Sequence, residues 1–341
     1  MKIRLLFLML LTCLIGKMPG FSQQTVPTHA LNLYWDDDYL NLQGKGTDRA
    51  YTSGQRIDYF YTKQHPSGWF LDRIMPKAGK GHTDIYSWSL MQVMVTPNNI
   101  SDPNFQPDDY PWSGALFAAH SLYSYNPEHK FSFQSECLVG VMGPASLAGA
   151  TQRAVHRLIH YTVPTGWSNQ FGNTPLVNAA FTAEKQEGGA GDFLELIGGA
   201  RVDAGALMDK LTVYQYVRLG IMNPWFEGLF TLRPVTGHKH RKTQFYLFMK
   251  PQAQAVAYDA LLEGSMFSGK PVFYEHSLSK TGPVVEKASY HDINRLIWED
   301  DYGCALSVGT VSIAYTQKPT TAYMKGLYGH NVGNITLCKS W

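Results

Sequence analysis

Along most of the chain, apolar and polar side chains alternate one by one, and a period of two held over many residues marks an amphipathic strand rather than a helix. From 130 to 141, Phe131, Phe133, Cys137, Val139 and Val141 alternate with Lys130, Ser132, Gln134, Glu136 and Gly140. From 193 to 202, Leu194, Leu196, Ala200 and Val202 alternate with Glu195 and Arg201. From 244 to 255, Phe245, Leu247, Met249, Ala253 and Ala255 alternate with Gln244, Lys250, Gln252 and Gln254. Each run is about ten residues or longer, the length a tilted strand needs to cross a bilayer. Strands are expected near 30–38, 51–63, 84–96, 113–126, 129–142, 174–187, 191–203, 209–221, 243–258, 285–297, 303–315 and 328–341, twelve in all.

A soluble sandwich shows the same alternation on shorter strands. An even number of long strands instead closes an antiparallel barrel, returns both termini to one side and leaves no open edge in lipid. The closing segment GNITLCKSW puts Ile335, Leu337 and Trp341 on one parity, with Lys339 as an exception, and ends on an aromatic residue, like the insertion signal of outer-membrane barrels. The expected fold is therefore all-β, a closed antiparallel transmembrane barrel of about 12 strands, formed by residues 23–341 as one domain. Two linkers, 64–82 and 222–241, are long for periplasmic turns.

Composition agrees with alternation. Charged residues make up 16% of the chain, against about 25% in a typical soluble domain. Beyond residue 22 no window holds the roughly 18 apolar residues a membrane helix requires. The first segment has Lys2 and Arg4 before an apolar run from Leu5 to Ile15, then Gly20 and Ser22, and reads as a cleaved secretory signal covering 1–22. A net charge of +2 gives no reason to expect a nucleic-acid partner. Removing the leader leaves Cys137, Cys304 and Cys338. Cys304 and Cys338 fall on opposite strand faces, so three unpaired small apolar side chains are expected rather than a bridge.

If the first strand climbs from the periplasm, connections 38–51, 97–112 and 143–173 all lie on the outer side, and these carry the unusual residues. The first holds Asp36, Asp37 and Asp38 and the box TDRAYTSG, the second TPNNI, the third GPASLAGATQRAVHRLIH. In the third, 148–159 has helical composition bounded by Gly143-Pro144 and Pro164. Gln152 and His156, four apart, share a helix face. His156 and His160 have the spacing of a zinc pair, but HRLIH lacks the glutamate of HEXXH.

These motifs resemble the outer-membrane lipid A 3'-O-deacylase family, barrel enzymes that remove acyl chains from lipopolysaccharide. The resemblance covers most of the chain in strand order, with its specific motifs between Asp36 and Gln170 and a further similarity in HDINRLIWEDDYG at 291–303. It implies that His156 acts as general base on water with Gln152 one turn before it, and that calcium polarises the ester carbonyl. It places the ion on Asp37 and Asp38, where the family has Asn-Asp, with Thr52 offering an oxygen. Strand alternation instead puts Asp36 and Asp38 on one side with Asp37 opposite, and the residues leave that conflict open. Asp48 and Arg49 are expected to pair and fix the turn, and Tyr51 to be a girdle aromatic at the lipid interface. Gln92, Thr96 and Pro97 match a scaffold element.

Two departures from the family stand out: Thr162 where some members carry an acidic residue, and Ser101 where a basic one occurs. Asp36 or Asp37 is the expected substitute for a lost ligand. No GXSXG elbow is present, so a serine acyl-enzyme is disfavoured. Three classes stay open: a calcium-assisted lipid A deacylase, a related barrel hydrolase acting on phospholipid or another glycolipid, and a non-catalytic barrel. The expected partners are lipopolysaccharide and the outer membrane, with the protein a monomer. Lys63, Lys77, Lys80, His238, Lys239, His240, Arg241 and Lys242 are expected as solvated periplasmic charge.

Overall fold

The computed structural model describes residues 28–42, 48–65, 67–227, 243–267, 273–279, 282–288 and 290–341, with backbone alone for 273–279 and 282–288. The expected leader and the basic run from His238 to Lys242 lie outside the described residues. Twelve strands form a closed barrel in which neighbours pair antiparallel. They are β1 (His29–Asp37), β2 (Ala50–Tyr61), β3 (Thr83–Thr96), β4 (Ser113–Asn126), β5 (Phe131–Met142), β6 (Thr174–Ala190), β7 (Leu194–Gly205), β8 (Met208–Ile221), β9 (Thr243–Asp259), β12 (Leu296–Val308), β13 (Val311–Thr320) and β14 (His330–Ser340). β10 (Phe273–Ser279) and β11 (Gly282–Ala288) make a separate hairpin. Closure is made by β1 against β14, from Ala30 opposite Ser340 to Asp37 opposite Gly333.

Alternation sorts the strands as the pattern predicts. Ile57, Trp88, Leu90, Val139, Val177, Phe245, Leu247, Met249, Leu306 and Val308 are large apolar side chains that remain exposed. On an ordinary soluble domain so wide an apolar exterior would be a liability, whereas on a barrel it is the lipid-facing belt. Aromatics gather at the periplasmic end, where Trp341 stacks on His29 at 6.2 Å and His29 on Tyr59 at 5.7 Å. Among the described residues no helix is long and apolar enough to cross a membrane.

The opposite parity fills the lumen with paired charge. Arg56 meets Asp58 at 2.5 Å and Glu136 at 2.8 Å, and Arg201 bridges Asp203 at 2.7 Å and Glu136 at 3.4 Å. Carboxylates buried this deeply on a barrel wall need such partners to offset their lost hydration. A cavity of about 580 Å³ remains, lined in part by Asp36, Lys250, Asp301 and Lys318.

The expected strands at 285–297 and 303–315 are misplaced. Residues 309–310 form the turn between β12 and β13, and the chain from 260 to 295 is an outer connection with its own hairpin. Cys137, Cys304 and Cys338 are free. Cys304 lies opposite Tyr315 and Cys338 opposite Ser312, so the two are not cross-strand partners. Lys63 and Lys77 are not solvated charge but pair with Asp72 and Asp84, each at 2.8 Å.

Candidate active site on the outer wall

The outer connections after β1, β3 and β5 converge as expected. A loop helix, Ala148–Ile159, lies against the outer face of the wall rather than over the lumen. Its buried face is Ala148, Gly149, Gln152 and His156, a row at helical spacing. Ala148 of this row packs in one cluster with Met94, Ile100, Trp112 and Trp167. Gly149 permits this approach, since a Cβ there would lie 2.8 Å from the Trp167 ring. The preceding turn is pinned by Gln92, whose side-chain amide donates to the Ser146 carbonyl at 2.6 Å. The TPNNI connection holds the segment beyond the helix: Thr165 N donates to the Ile100 carbonyl at 2.9 Å and Thr165 Oγ1 to that of Ser101 at 2.8 Å.

His156 is 5% exposed and held from both sides. Its Nδ1 lies 2.5 Å from the Thr162 carbonyl, which can only accept, so the proton sits on Nδ1. Nε2 lies 3.3 Å from Asp48 Oδ2. Burial would depress the imidazole pKa, but the Asp48 and Thr162 contacts and the charge of Asp37 outweigh it and hold the group above its ordinary 6.5. Gln152 accepts from Trp167 Nε1 at 2.7 Å, while its own Nε2 is buried without a protein partner.

The aspartate triplet is divided by the end of β1. Asp36 points into the lumen and accepts from Tyr34 Oη at 2.7 Å, Tyr51 Oη at 3.2 Å and Lys318 Nζ at 3.3 Å. It is therefore not available at the rim as a substitute ligand. Asp37 faces outward, accepting from Trp35 Nε1 at 3.3 Å and Tyr39 N at 2.9 Å. Alternation stops there because Asp38–Leu40 is a 3-10 turn. Asp38 thus escapes strand parity and joins Asp37 on the outer side. It is 2% exposed and accepts from Arg49 N at 3.1 Å. Its carboxyl is pushed well up by burial and then by the charges of Asp37 and Asp48.

Two other expectations change. Asp48 pairs with His156 rather than Arg49, whose guanidinium lies 5.0 Å over the Tyr328 ring. Tyr51 is no lipid-interface aromatic. The odd positions Ile57 and Tyr59 face lipid, but a bulge between Tyr51 and Ser53 reverses the parity and turns Tyr51 to Asp36 in the lumen. Thr52, the extra residue, is buried with Oγ1 2.6 Å from Thr96 Oγ1. His160, at φ 59°, leaves the helix and is exposed, so the zinc pair with His156 is not formed.

Among the described residues no group of three or more His, Cys, Asp or Glu side chains forms a ready metal cage. The donor chemistry still fits a hard cation. Apart from its 3.3 Å contact with His156 Nε2, Asp48 Oδ2 is buried without a hydrogen bond, and Asp37, Asp38 and Asp48 lie close enough to raise the Asp38 carboxyl. Oxygen donors completed by carbonyls and water suit calcium better than zinc. Around this cluster the apolar side chains of Tyr39, Leu42, Leu147, Val155, Leu158 and Tyr161 stay exposed. Asp48 is the participant whose partner sequence reading missed. Its one signal is its place in TDRAYTSG.

A closed twelve-stranded barrel with a lipid-facing belt and a buried histidine on its outer wall defines an outer-membrane β-barrel protein. The chain belongs to the family described as Outer membrane protein LpxR, whose model matches residues 5–341. The structure of LpxR from Salmonella typhimurium aligns with 92% of this chain and 100% of its own, at 16% identity and a TM-score of 0.70. The β domain of the Bordetella autotransporter BrkA aligns with 93% of this chain and 99% of its own, at 7% identity and a TM-score of 0.41. An outer-membrane channel from Pseudomonas putida F1 aligns with 96% and 100%, at 9% identity and a TM-score of 0.44. No curated protein sequence matches the chain.

Proposed function

We propose that the protein is a lipid A 3'-O-deacylase that hydrolyses the ester carrying the 3'-linked acyloxyacyl group. The observation that carries this reading is the orientation of His156. With Nδ1–H held by Thr162, the lone pair for proton abstraction belongs to Nε2, which faces the acidic cluster on the lipid-facing side of the wall. A lumen-facing base would meet small solutes, whereas one on the outer wall beside Leu147, Leu158 and Tyr161 meets acyl chains.

In this reading Nε2 takes a proton from water as the water oxygen attacks the ester carbonyl. The imidazolium returns the proton to the departing 3'-oxygen as the carbon–oxygen bond breaks. The products are a free acyloxyacyl fatty acid and lipid A with a 3'-hydroxyl. Asp48 stabilises the imidazolium that forms between the two transfers. Gln152 fixes the helix through Trp167 and keeps an amide donor beside the base. Asp37 and Asp38 would hold calcium, with Thr52 in the adjoining bulge. A bound calcium ion supplies charge that stabilises the tetrahedral oxyanion.

Mass spectrometry of lipid A from cells with and without the protein is the test. The expected result is loss of one 3'-linked acyloxyacyl unit, abolished by His156→Ala. Unchanged lipid A, or fatty acid released only from phospholipid, would overturn the assignment.

A further inference from the structure

Tyr59, Trp88, His120 and Cys137 stand side by side across β2 to β5. Tyr59 and Trp88 are exposed on the lipid-facing parity, so His120 points outward as well. Two imidazole nitrogens facing acyl chains would be costly. His120 is nevertheless only 3% exposed, because the linker after β2 folds back over it. A short helix, Phe70–Ile74, places Asp72 Oδ1 2.7 Å from His120 Nε2, and Lys63 Nζ donates to Asp72 Oδ2 at 2.8 Å. The Trp69 ring lies 4.6 Å from the imidazole and 5.7 Å from Trp88.

The rest of the linker is fastened to the same wall. Ala78 N donates to Ser124 Oγ at 3.1 Å, and Asn126 Nδ2 donates to the carbonyls of Ala78 and Lys80 at 3.0 and 2.8 Å. Met75 packs with Tyr86 and Leu122. The linker is therefore a strap along the outer surface at the periplasmic end. What its short helix turns away from the protein is mainly apolar: Trp69, Phe70 and Ile74 are 37%, 62% and 69% exposed, with Arg73 exposed beside Ile74 and its guanidinium donating back to the Ser67 carbonyl.

We propose that this strap is a binding surface for the acyl chains of periplasmic-leaflet glycerophospholipid, with Trp69, Phe70 and Ile74 immersed in them. The supporting fact is continuity. Trp69 stacks on Trp88, and Trp88 belongs to the row of exposed side chains that already meets lipid. An apolar edge joined to that belt extends the bilayer contact, and a tryptophan beside it suits the interface. The ion pair and histidine beneath the strap are the polar groups it seals from hydrocarbon. This inference concerns the opposite end of the barrel from the proposed ester site and stands whether or not the chain is an enzyme.

The test uses the whole barrel domain, with Cys137, Cys304 and Cys338 replaced by serine, reconstituted in phosphatidylcholine vesicles containing brominated acyl chains. Single cysteines at Phe70, Ile74, Leu90 or Lys80 carry a bimane label, and heat-modifiable gel mobility confirms folding of each. Labels at Phe70 and Ile74 should be quenched by the brominated chains as strongly as the label at Leu90, while the label at Lys80 should be quenched by aqueous iodide. Adding Asp72→Ala should reduce bromine quenching at Phe70 and leave that at Leu90 unchanged. Iodide quenching at Phe70 and Ile74 in the folded barrel would overturn the proposal. Shielding from both quenchers would do so too, by assigning the edge to a protein partner.

Discussion

Asp48 Oδ2 lies 3.3 Å from Nε2 of His156, although the two residues belong to different outer connections separated by four strands. The contact draws the loop helix to the acidic end of β1 and gives the imidazole a counter-charge on the nitrogen that faces the cluster. A base that must become a cation during turnover is helped by a carboxylate at that place. Asp48→Asn keeps the shape and removes the charge. It should lower kcat by roughly ten- to a hundredfold, the size common for loss of a supporting partner of a functional group, with little change in KM. Deacylation of a detergent-solubilised substrate measures this, and an unaltered kcat would remove Asp48 from the mechanism.

The same contact predicts a titration. The folded-state pKa of His156 is raised, and unfolding would return it to about 6.5. The charged pair therefore stabilises the loop helix fully below that value, and the contribution is lost as pH rises through the folded pKa. In calcium-free protein, NMR of the His156 ring proton should give a midpoint above 6.5, and Asp48→Asn should move it down. A midpoint indifferent to Asp48 would mean that the raised value has another source.

Helix docking depends on one missing side chain. A Cβ on Gly149 would sit 2.8 Å from the ring of Trp167, which donates to Gln152 at 2.7 Å. Gly149→Ala should push the helix outward and strain or break that bond, and a buried amide left without its partner costs about 1–3 kcal/mol. Activity should fall while heat-modifiable gel mobility, a property of the barrel, stays unchanged. Trp167→Phe removes the donor together with part of a buried ring and should also lower activity in the same assay.

Most of the barrel was legible because one physical rule governs it: inward side chains meet a polar lumen and outward ones meet lipid, so β5, β7 and β9 show their period directly and the other strands follow from spacing and turns. The rule fails where local geometry intervenes. The bulge at Thr52 reverses parity and sends Tyr51 inward, and the 3-10 turn at Asp38 releases that residue from strand alternation. In β12 the run Glu299, Asp300, Asp301 obscures a strand whose acidic side chains are met by the amide of Gln252, 3.0 Å from Asp301, and that of Gln254, 2.9 Å from Glu299. The hairpin of β10 and β11 meanwhile imitates a barrel strand nearby. Gln152 and His156 were found by helical spacing together with family resemblance. The Asp48 contact was not, since nothing local ties residue 48 to residue 156.

The divided triplet yields a discriminating metal experiment. Asp36 is held in the lumen through one oxygen, Oδ2, by Tyr34, Tyr51 and Lys318, while Asp38 is buried at the outer rim with its carboxyl raised by burial and by Asp37 and Asp48. A divalent cation would relieve that repulsion, and calcium accepts the mixed carboxylate, carbonyl and water shell such a rim can provide. Calorimetric titration of the chelator-treated protein should therefore detect calcium binding. Asp38→Asn should weaken it by at least about tenfold, the lower end of what loss of a supporting group costs a metal site. Asp36→Asn should leave calcium affinity unchanged while disturbing the Lys318 pair and lowering thermal stability. Chelation should abolish hydrolysis and calcium should restore it. Equal loss of affinity in both variants would place the ion in the lumen, and undiminished binding in Asp38→Asn would remove it from the rim beside His156.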